Sequence, residues 1–93
     1  MDTIRTVDVV ISGRVQGVGY RYWTLGQAER LGLDGHVRNR ADGSVEATFS
    51  GRPDSVASMI EACRRGPDGA RVSSVEVTEA TETPASGFHL LRT

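Results

Sequence analysis

The stretch Ser12–Trp23, SGRVQGVGYRYW, joins a strand-like segment to a helix-like one. It contains three glycines, Gly13, Gly17 and Gly19, and then an arginine, Arg21. Glycine reaches positive φ angles without strain and lets the backbone approach a ligand closely. A loop of this kind before a helix can direct several backbone N–H groups at one place, where the helix dipole adds positive potential. The stretch therefore predicts a strand, a tight loop and a helix that begins near the arginine.

The residues on either side follow the periods of a strand and of a helix. A strand is expected over residues 6–12, because alternate positions are β-branched: Val7, Val9 and Ile11. A helix is expected over about residues 20–31, because one face collects Tyr20, Thr24, Ala28 and Leu31. Gly32 is well placed to end that helix in the left-handed conformation.

The rest of the chain continues the alternation of strands and helices. A hairpin is expected where the Asp-Gly pair at 42–43 separates residues 36–40 from residues 44–51, whose inward face would carry Val45, Ala47 and Phe49. A second helix is expected from Pro53 to before Gly66, with a buried stripe of Val56, Met59, Ile60 and Cys63. Strands at 71–80 and 87–92 complete the order β-α-β-β-α-β plus a terminal strand. This order predicts a ferredoxin-like α+β fold, an antiparallel sheet with both helices on one face.

Composition limits the classes of function. The chain has 93 residues and a net charge of −1, so we expect a single domain over residues 1–93 with no global attraction to nucleic acid or membranes. We find no membrane-spanning run and no secretory signal, and a single cysteine cannot form an internal disulfide, so we expect a cytoplasmic protein. All 11 basic residues are arginine. Without lysine, Schiff-base chemistry and a Walker-type phosphate loop are excluded.

Taken alone, the glycine loop and Asn39 each allow two interpretations. The glycine spacing matches neither the dinucleotide-binding pattern nor the Walker pattern, so the loop is either an anion-binding cradle or a tight turn that merely needs glycine. Asn39 lies just before the Asp-Gly turn, where an asparagine often bonds to nearby backbone. It is therefore either a local capping residue or a functional one.

Two separated motifs together resemble the signatures of the acylphosphatase family. ISGRVQGVGYR resembles the first signature and GHVRNRADGSVEATFSG the second, and LGLDG and RRGPDGARVSSVEV also resemble family sequence. The resemblance extends over about residues 7–92. It implies a ferredoxin-like fold and hydrolysis of a carboxylate–phosphate mixed anhydride. It also implies that Arg21 is the phosphate-binding catalytic arginine and that Asn39 holds the attacking water.

The chain departs from the family pattern at two positions. Tyr20 stands where the family usually has Phe or Met, and His36 stands where it usually has a large aromatic residue. We expect Tyr20 to keep the packing of an aromatic ring. The histidine could loosen its strand or alter the local pH response, but it is not at a catalytic position.

The implied chemistry suits the residues that are present. An acyl phosphate releases a carboxylate, whose conjugate acid has a pKa of about 4, so no general acid is needed. The phosphate would be held by Arg21 and by a backbone cradle over Gly13–Tyr20, whose amides come from Val15, Gln16, Gly17, Val18, Gly19 and Tyr20. We expect inorganic phosphate to be both product and inhibitor. A carboxamide cannot accept the proton of the water, so a substrate oxygen or bulk water is expected to take it.

Other groups suggest no second chemistry. His36 and His89 are far apart in sequence and show no metal-ligand spacing, so we expect no metal and no cofactor. Cys63 lies on an apolar stripe and is expected in the core. Two alternatives remain: a non-catalytic phosphate-binding module of the same fold, and an RNA-binding domain, which the charge and the few strand aromatics disfavour. We expect a monomer that acts on a small-molecule acyl phosphate.

Overall fold

The computed structural model describes residues 3–92, which form one five-stranded sheet and two helices. In chain order the elements are β1 (Arg5–Arg14), α1 (Tyr20–Arg30), β2 (Asp34–Asn39), β3 (Val45–Gly51), α2 (Pro53–Arg65), β4 (Arg71–Ala80) and β5 (Phe88–Leu90). The strand order is β4-β1-β3-β2-β5. The first four strands pair antiparallel, as expected for the ferredoxin-like fold. The terminal strand β5 is parallel to β2, because residues 81–87 carry the chain from one sheet edge to the other and reverse its direction.

The core lies between the sheet and the two helices, on the faces that the sequence predicts. The inward residues of β1 and β3 are all buried: Val7, Val9, Ile11, Val45, Ala47 and Phe49. The whole predicted stripe of α2 is buried: Val56, Met59, Ile60 and Cys63. On α1 the buried residues are Tyr20, Thr24 and Ala28, while Leu31 is half-buried against the core. Phe88 of β5 stacks on Phe49 with the ring centroids 5.7 Å apart, so the added strand extends the core.

The first strand is longer than expected, and this assigns Gly13 to the sheet. β1 pairs with β4 as far as Arg14 opposite Arg71, through a register shift between Ser12 and Gly13. Gly13 has φ 122°, and a Cβ atom there would lie 2.2 Å from the Arg71 carbonyl oxygen. The close approach of β4 explains this glycine. The loop that precedes α1 therefore begins after Arg14, and the expectation that the cradle starts at Gly13 is corrected.

Tyr20 joins the beginning of α1 to the end of α2. Its ring is buried beside Trp23, and its hydroxyl donates a 2.6 Å hydrogen bond to the carbonyl oxygen of Cys63. That carbonyl lies in the last turn of α2, and the residue four positions later is Pro67, which has no N–H to offer. The tyrosine thus keeps the aromatic packing expected at this position and also caps α2. The first turn of α1 is held in place as a result.

His36 leaves its strand intact. β2 pairs with β3 along its full length, and His36 lies opposite Thr48 on one side and His89 of β5 on the other. The sheet face that carries these three residues is the one turned away from the helices.

Within residues 3–92 neither helix has the length and apolar character that crossing a membrane requires.

Candidate active site

A cavity of about 200 Å³ opens where β1 passes into α1. Its lining comes from the loop, from the first turn of α1 and from the end of β2: Val15, Gly17, Gly19, Tyr20, Arg21, Tyr22 and Asn39. The fold therefore brings Arg21 and Asn39, which belong to different motifs, to one cavity. Of the six residues expected in the cradle, four line it. Gln16 and Val18 lie in the same loop but are not part of the lining.

The first turn of α1 has backbone donors to offer. Gly19 caps the helix in the left-handed conformation, with φ 79° and ψ 21°, and no side chain caps the N–H groups. The first intrahelical bond runs from Trp23 N to Gly19 O at 3.0 Å, so the N–H groups of residues 20–22 have no acceptor within the helix. No acidic residue lies in this turn. The positive end of the helix dipole therefore meets the cavity without a carboxylate of its own to neutralise it.

Two of the glycines are required by backbone conformation. Gly17 has φ 76° and Gly19 has φ 79°, a region that costs other residues about 1–2 kcal/mol. An added Cβ atom would meet nothing within 4 Å at either position. Unlike Gly13, these two glycines are therefore explained by the turn itself, which directs the loop around the cavity.

Arg21 is held by the C-terminal segment. Its Nη1 donates a 3.1 Å hydrogen bond to the carbonyl oxygen of Leu91, and Leu91 N donates to Val37 O of β2 at 2.9 Å. The guanidinium has further N–H groups in its planar fork, which suit two oxygens of a phosphate. Sequence reasoning missed Leu91, because a backbone carbonyl that acts from the far end of the chain has no residue-specific signal.

Asn39 is not needed to close the turn that follows it. The Asp42 carboxylate accepts hydrogen bonds from Ser44 N at 2.9 Å and from Ser44 Oγ at 2.6 Å, and Arg40 N donates to Ser44 O at 2.8 Å. The bonds from Ser44 also lower the pKa of Asp42 below its usual value. Asp42 and the backbone close the turn, so capping does not account for Asn39. This residue is half-buried and lines the cavity.

Gln16 connects the two halves of the site. Its side-chain Nε2 donates to the carbonyl oxygens of Arg40 and Ser44, both at 2.8 Å. The glycine loop is thereby joined to the turn that follows Asn39. Sequence reasoning counted Gln16 only for its backbone amide. A long amide side chain between Val15 and Gly17, in a loop otherwise built of small and apolar residues, was the available signal.

The other reactive groups lie outside this cavity. Cys63 is a buried free thiol, and burial raises its pKa to about 12, so it stays protonated at neutral pH. This confirms the core position expected from the helical stripe. Among residues 3–92 no group of three or more His, Cys, Asp or Glu side chains is arranged to hold a metal ion.

The family model for acylphosphatase matches residues 7–90. The chain belongs to the acylphosphatase family. The acylphosphatase of Nitrobacter hamburgensis is 60% identical over 75 residues, which are 81% of this chain and 74% of that protein. The acylphosphatase of Azorhizobium caulinodans is 51% identical over 89 residues, covering 95% and 96% of the two chains. The solved structure of an acylphosphatase from Coxiella burnetii matches with a TM-score of 0.91 at 35% identity, over 95% of this chain and 93% of that one.

Proposed function

We propose that the chain hydrolyses acyl phosphates to a carboxylate and inorganic phosphate in the cavity between β1 and α1. The acylphosphatase family gives the reaction, and the proposal assigns the parts of this chain that perform it. One observation carries the assignment: Arg21, Asn39 and the uncapped first turn of α1 line the same cavity. A phosphate-binding module without turnover has no evident use for an amide side chain held beside the cradle, and nothing favours that alternative.

The phosphoryl group is held by charge and by backbone donors. Amides of the loop Val15–Tyr20 and of the first helical turn face the phosphoryl oxygens, and the Arg21 guanidinium supplies a paired contact. Phosphoryl transfer depends mainly on positioning and on stabilising the charge of these oxygens in the transition state. Donors that are fixed before the reaction supply both. The tether from Arg21 to Leu91 O keeps the guanidinium in place.

Asn39 orients the attacking water. Its carboxamide can accept and donate hydrogen bonds but is not a base at neutral pH, so a phosphoryl oxygen or bulk water accepts the proton. The bond between phosphorus and the bridging oxygen breaks, and the carboxylate leaves with the electron pair. A carboxylate is a stable leaving group and needs no acid to protonate it. The Gln16 bridge sets the distance between this residue and the cradle.

We also propose that residues 1–93 act as one monomeric domain in the cytoplasm, without metal or cofactor. Arg21, Asn39 and the loop glycines of one copy of the chain line the same cavity, so the proposed chemistry calls for no residue from a second copy. A phosphoryl group gripped by an arginine and backbone amides does not depend on a metal for charge neutralisation. The single free cysteine is consistent with a reducing compartment.

The test is hydrolysis of benzoyl phosphate by the pure protein in the presence of EDTA. We expect turnover at the same rate with and without the chelator. We also expect inorganic phosphate to inhibit competitively, with sodium chloride at equal ionic strength as the control. Activity that EDTA abolishes and a divalent ion restores would contradict the metal-free mechanism. Inhibition by chloride to the same degree would contradict a phosphate cradle.

A further inference from the structure

Tyr22 places an aromatic ring in the open at the edge of the cavity. Its side chain is 70% exposed, which is the largest exposure of any large apolar side chain within the described residues. It lines the same cavity as Arg21 and Asn39. The aromatic pairs found among residues 3–92, Tyr20 with Trp23 and Phe49 with Phe88, do not include it. A ring that packs against little of its own chain is available to a ligand.

The packing of α1 does not explain this ring. The inward face of the helix is filled by Tyr20, Thr24 and Ala28, and Tyr22 points away from it. A single exposed apolar residue is normal on a protein surface. One at the edge of this cavity lies within reach of the part of a bound substrate that extends out of it. The third position of a helix also favours Glu or Asp, and such a residue here would repel an anion. An aromatic residue leaves the anion site intact and adds an apolar surface beside it.

We propose that Tyr22 contacts the acyl group of the substrate and gives this enzyme a preference for acyl phosphates with aromatic or bulky apolar acyl groups. The proposal rests on the proposed function above. The phosphoryl end is fixed by the loop amides and Arg21, so the acyl group must lie towards the edge of the cavity. A phenyl group there stacks on or meets the edge of the tyrosine ring, as aromatic pairs do. A methyl group in the same place is too small to make much of that contact.

The first experiment compares benzoyl phosphate with acetyl phosphate in the wild type and in Tyr22→Ala, Tyr22→Leu and Tyr22→Phe. In Tyr22→Ala we expect KM for benzoyl phosphate to rise about 3- to 10-fold, the size of one aromatic contact. KM for acetyl phosphate and the inhibition constant of inorganic phosphate should stay within about twofold of wild type, because the substitution removes only the side chain and keeps the backbone N–H of residue 22. Tyr22→Phe should keep the preference and Tyr22→Leu should keep part of it. Because each substrate is compared across enzymes, the difference in leaving groups cancels.

Ile4→Ala is the matched control, since Ile4 is also an exposed apolar side chain, at 54%, but does not line the cavity. It should change neither KM. Equal losses for both substrates in Tyr22→Ala, or no loss for either, would overturn the proposal. Circular dichroism checks that each variant is folded, and Tyr22→Leu, which keeps a large apolar side chain, provides the same comparison if the alanine variant unfolds.

A second measurement does not need turnover. Phenacylphosphonate and acetonylphosphonate carry the same two acyl groups with a CH₂ group in place of the bridging oxygen, so they bind but are not hydrolysed. We expect the wild type to bind the phenyl compound more tightly and Tyr22→Ala to lose that advantage. If neither acyl phosphate is hydrolysed while this difference in binding persists, the proposed function fails and the contact stands. If hydrolysis proceeds and the two phosphonates bind equally well to both proteins, the contact is wrong and the proposed function stands.

Discussion

The two strand-to-helix junctions of this fold occupy equivalent places, but the helices that follow them begin differently. Between β1 and α1 the chain uses a five-residue loop, residues 15–19, with a left-handed glycine at the helix cap and no acid in the first turn. Between β3 and α2 a single residue, Arg52, connects Gly51 to Pro53. Pro53 removes one N–H group, and Asp54 places a carboxylate in the first turn, where it accepts a bond from Ser55 N at 3.0 Å.

Under the proposed function, the difference explains why the N-terminus of α1 would bind an anion and that of α2 would not. Both junctions have a helix dipole, but α2 meets it with its own carboxylate, which also lies 3.6 Å from Arg52 Nε. At α1 no carboxylate lies in the first turn, and the positive charge of Arg21 adds to the positive end of the helix dipole. Under the proposed function, glycine and arginine at one junction, against proline and aspartate at the other, determine which helix N-terminus binds phosphate.

The largest effect is expected from removing the arginine at the first junction. Arg21→Ala should lower kcat by about 10³-fold or more, the scale of an arginine that stabilises phosphoryl-transfer charge, and should weaken phosphate binding. Arg21→Lys should also fail, because an ammonium group does not reproduce the paired contact. Arg52→Ala is the control at the second junction and should leave both kcat and phosphate affinity unchanged. Kinetics and phosphate dissociation constants measure this, and equal losses in the Arg21 and Arg52 variants would contradict the comparison.

Asn39→Ala should separate water positioning from phosphate binding. We expect kcat to fall by about 10²-fold, the loss of one positioned polar group, while the phosphate dissociation constant stays near wild type. Circular dichroism should show a folded protein, because the turn is closed by Asp42 and not by Asn39. Phosphate binding as poor as that of Arg21→Ala would make Asn39 part of the cradle. Normal turnover would mean that it is only a residue of the turn.

A smaller effect on activity is expected from the loop glycines. Gly19→Ala forces a side chain into a left-handed conformation, which costs about 1–2 kcal/mol of stability and disturbs the loop amides. Gly69→Ala is matched to it, since Gly69 also has positive φ, 90°, and open space around it but is not part of the lining of the cavity. Both variants should lose similar stability in urea unfolding. Only Gly19→Ala should lose catalysis, by about 10-fold or more, through misplacement of the donors. Equal kcat in the two variants would remove the special role of this loop.

The smallest effect on turnover is expected at the far end of α2. Cys63→Ala should lower the free energy of unfolding by about 1 kcal/mol and leave kcat unchanged. With its pKa raised to about 12 by burial, the thiol should also react slowly with iodoacetamide at pH 7 in the folded protein. Loss of turnover without unfolding would mean that the cysteine takes part in the chemistry.

The sequence predicted what depends on local periodicity. Alternation placed Val7, Val9 and Ile11 inward, and helical spacing placed the buried stripe of α2, because both patterns follow directly from the geometry of the elements. Gly32, expected to stop α1, has φ 69° directly after the C-cap at Leu31. The resemblance of the two motifs to the family signatures predicted that Arg21 and Asn39 serve one reaction, and both residues line one cavity.

What the sequence did not predict depends on contacts between distant segments. β1 extends to Arg14, beyond the predicted end at Ser12, because β4 pairs with it there. The parallel alignment of β5, the tether of Arg21 to Leu91 and the bridge from Gln16 to the turn at Ser44 all join parts of the chain that no short window contains. For the same reason Gly13 could not be separated from Gly17 and Gly19, which share its residue type but not its surroundings.

The most direct test of the difference between the two junctions is a titration with inorganic phosphate, followed through the backbone amide signals by ¹H–¹⁵N NMR. We expect the amides of residues 15–22 to shift and to saturate with one dissociation constant, equal to the constant for competitive inhibition. The amides of residues 54–56, at the beginning of α2, should not move beyond the shift that sodium chloride causes at equal ionic strength. Equal, saturating shifts at both junctions, or no shift at residues 15–22, would contradict the assignment of the phosphate site to the loop before α1.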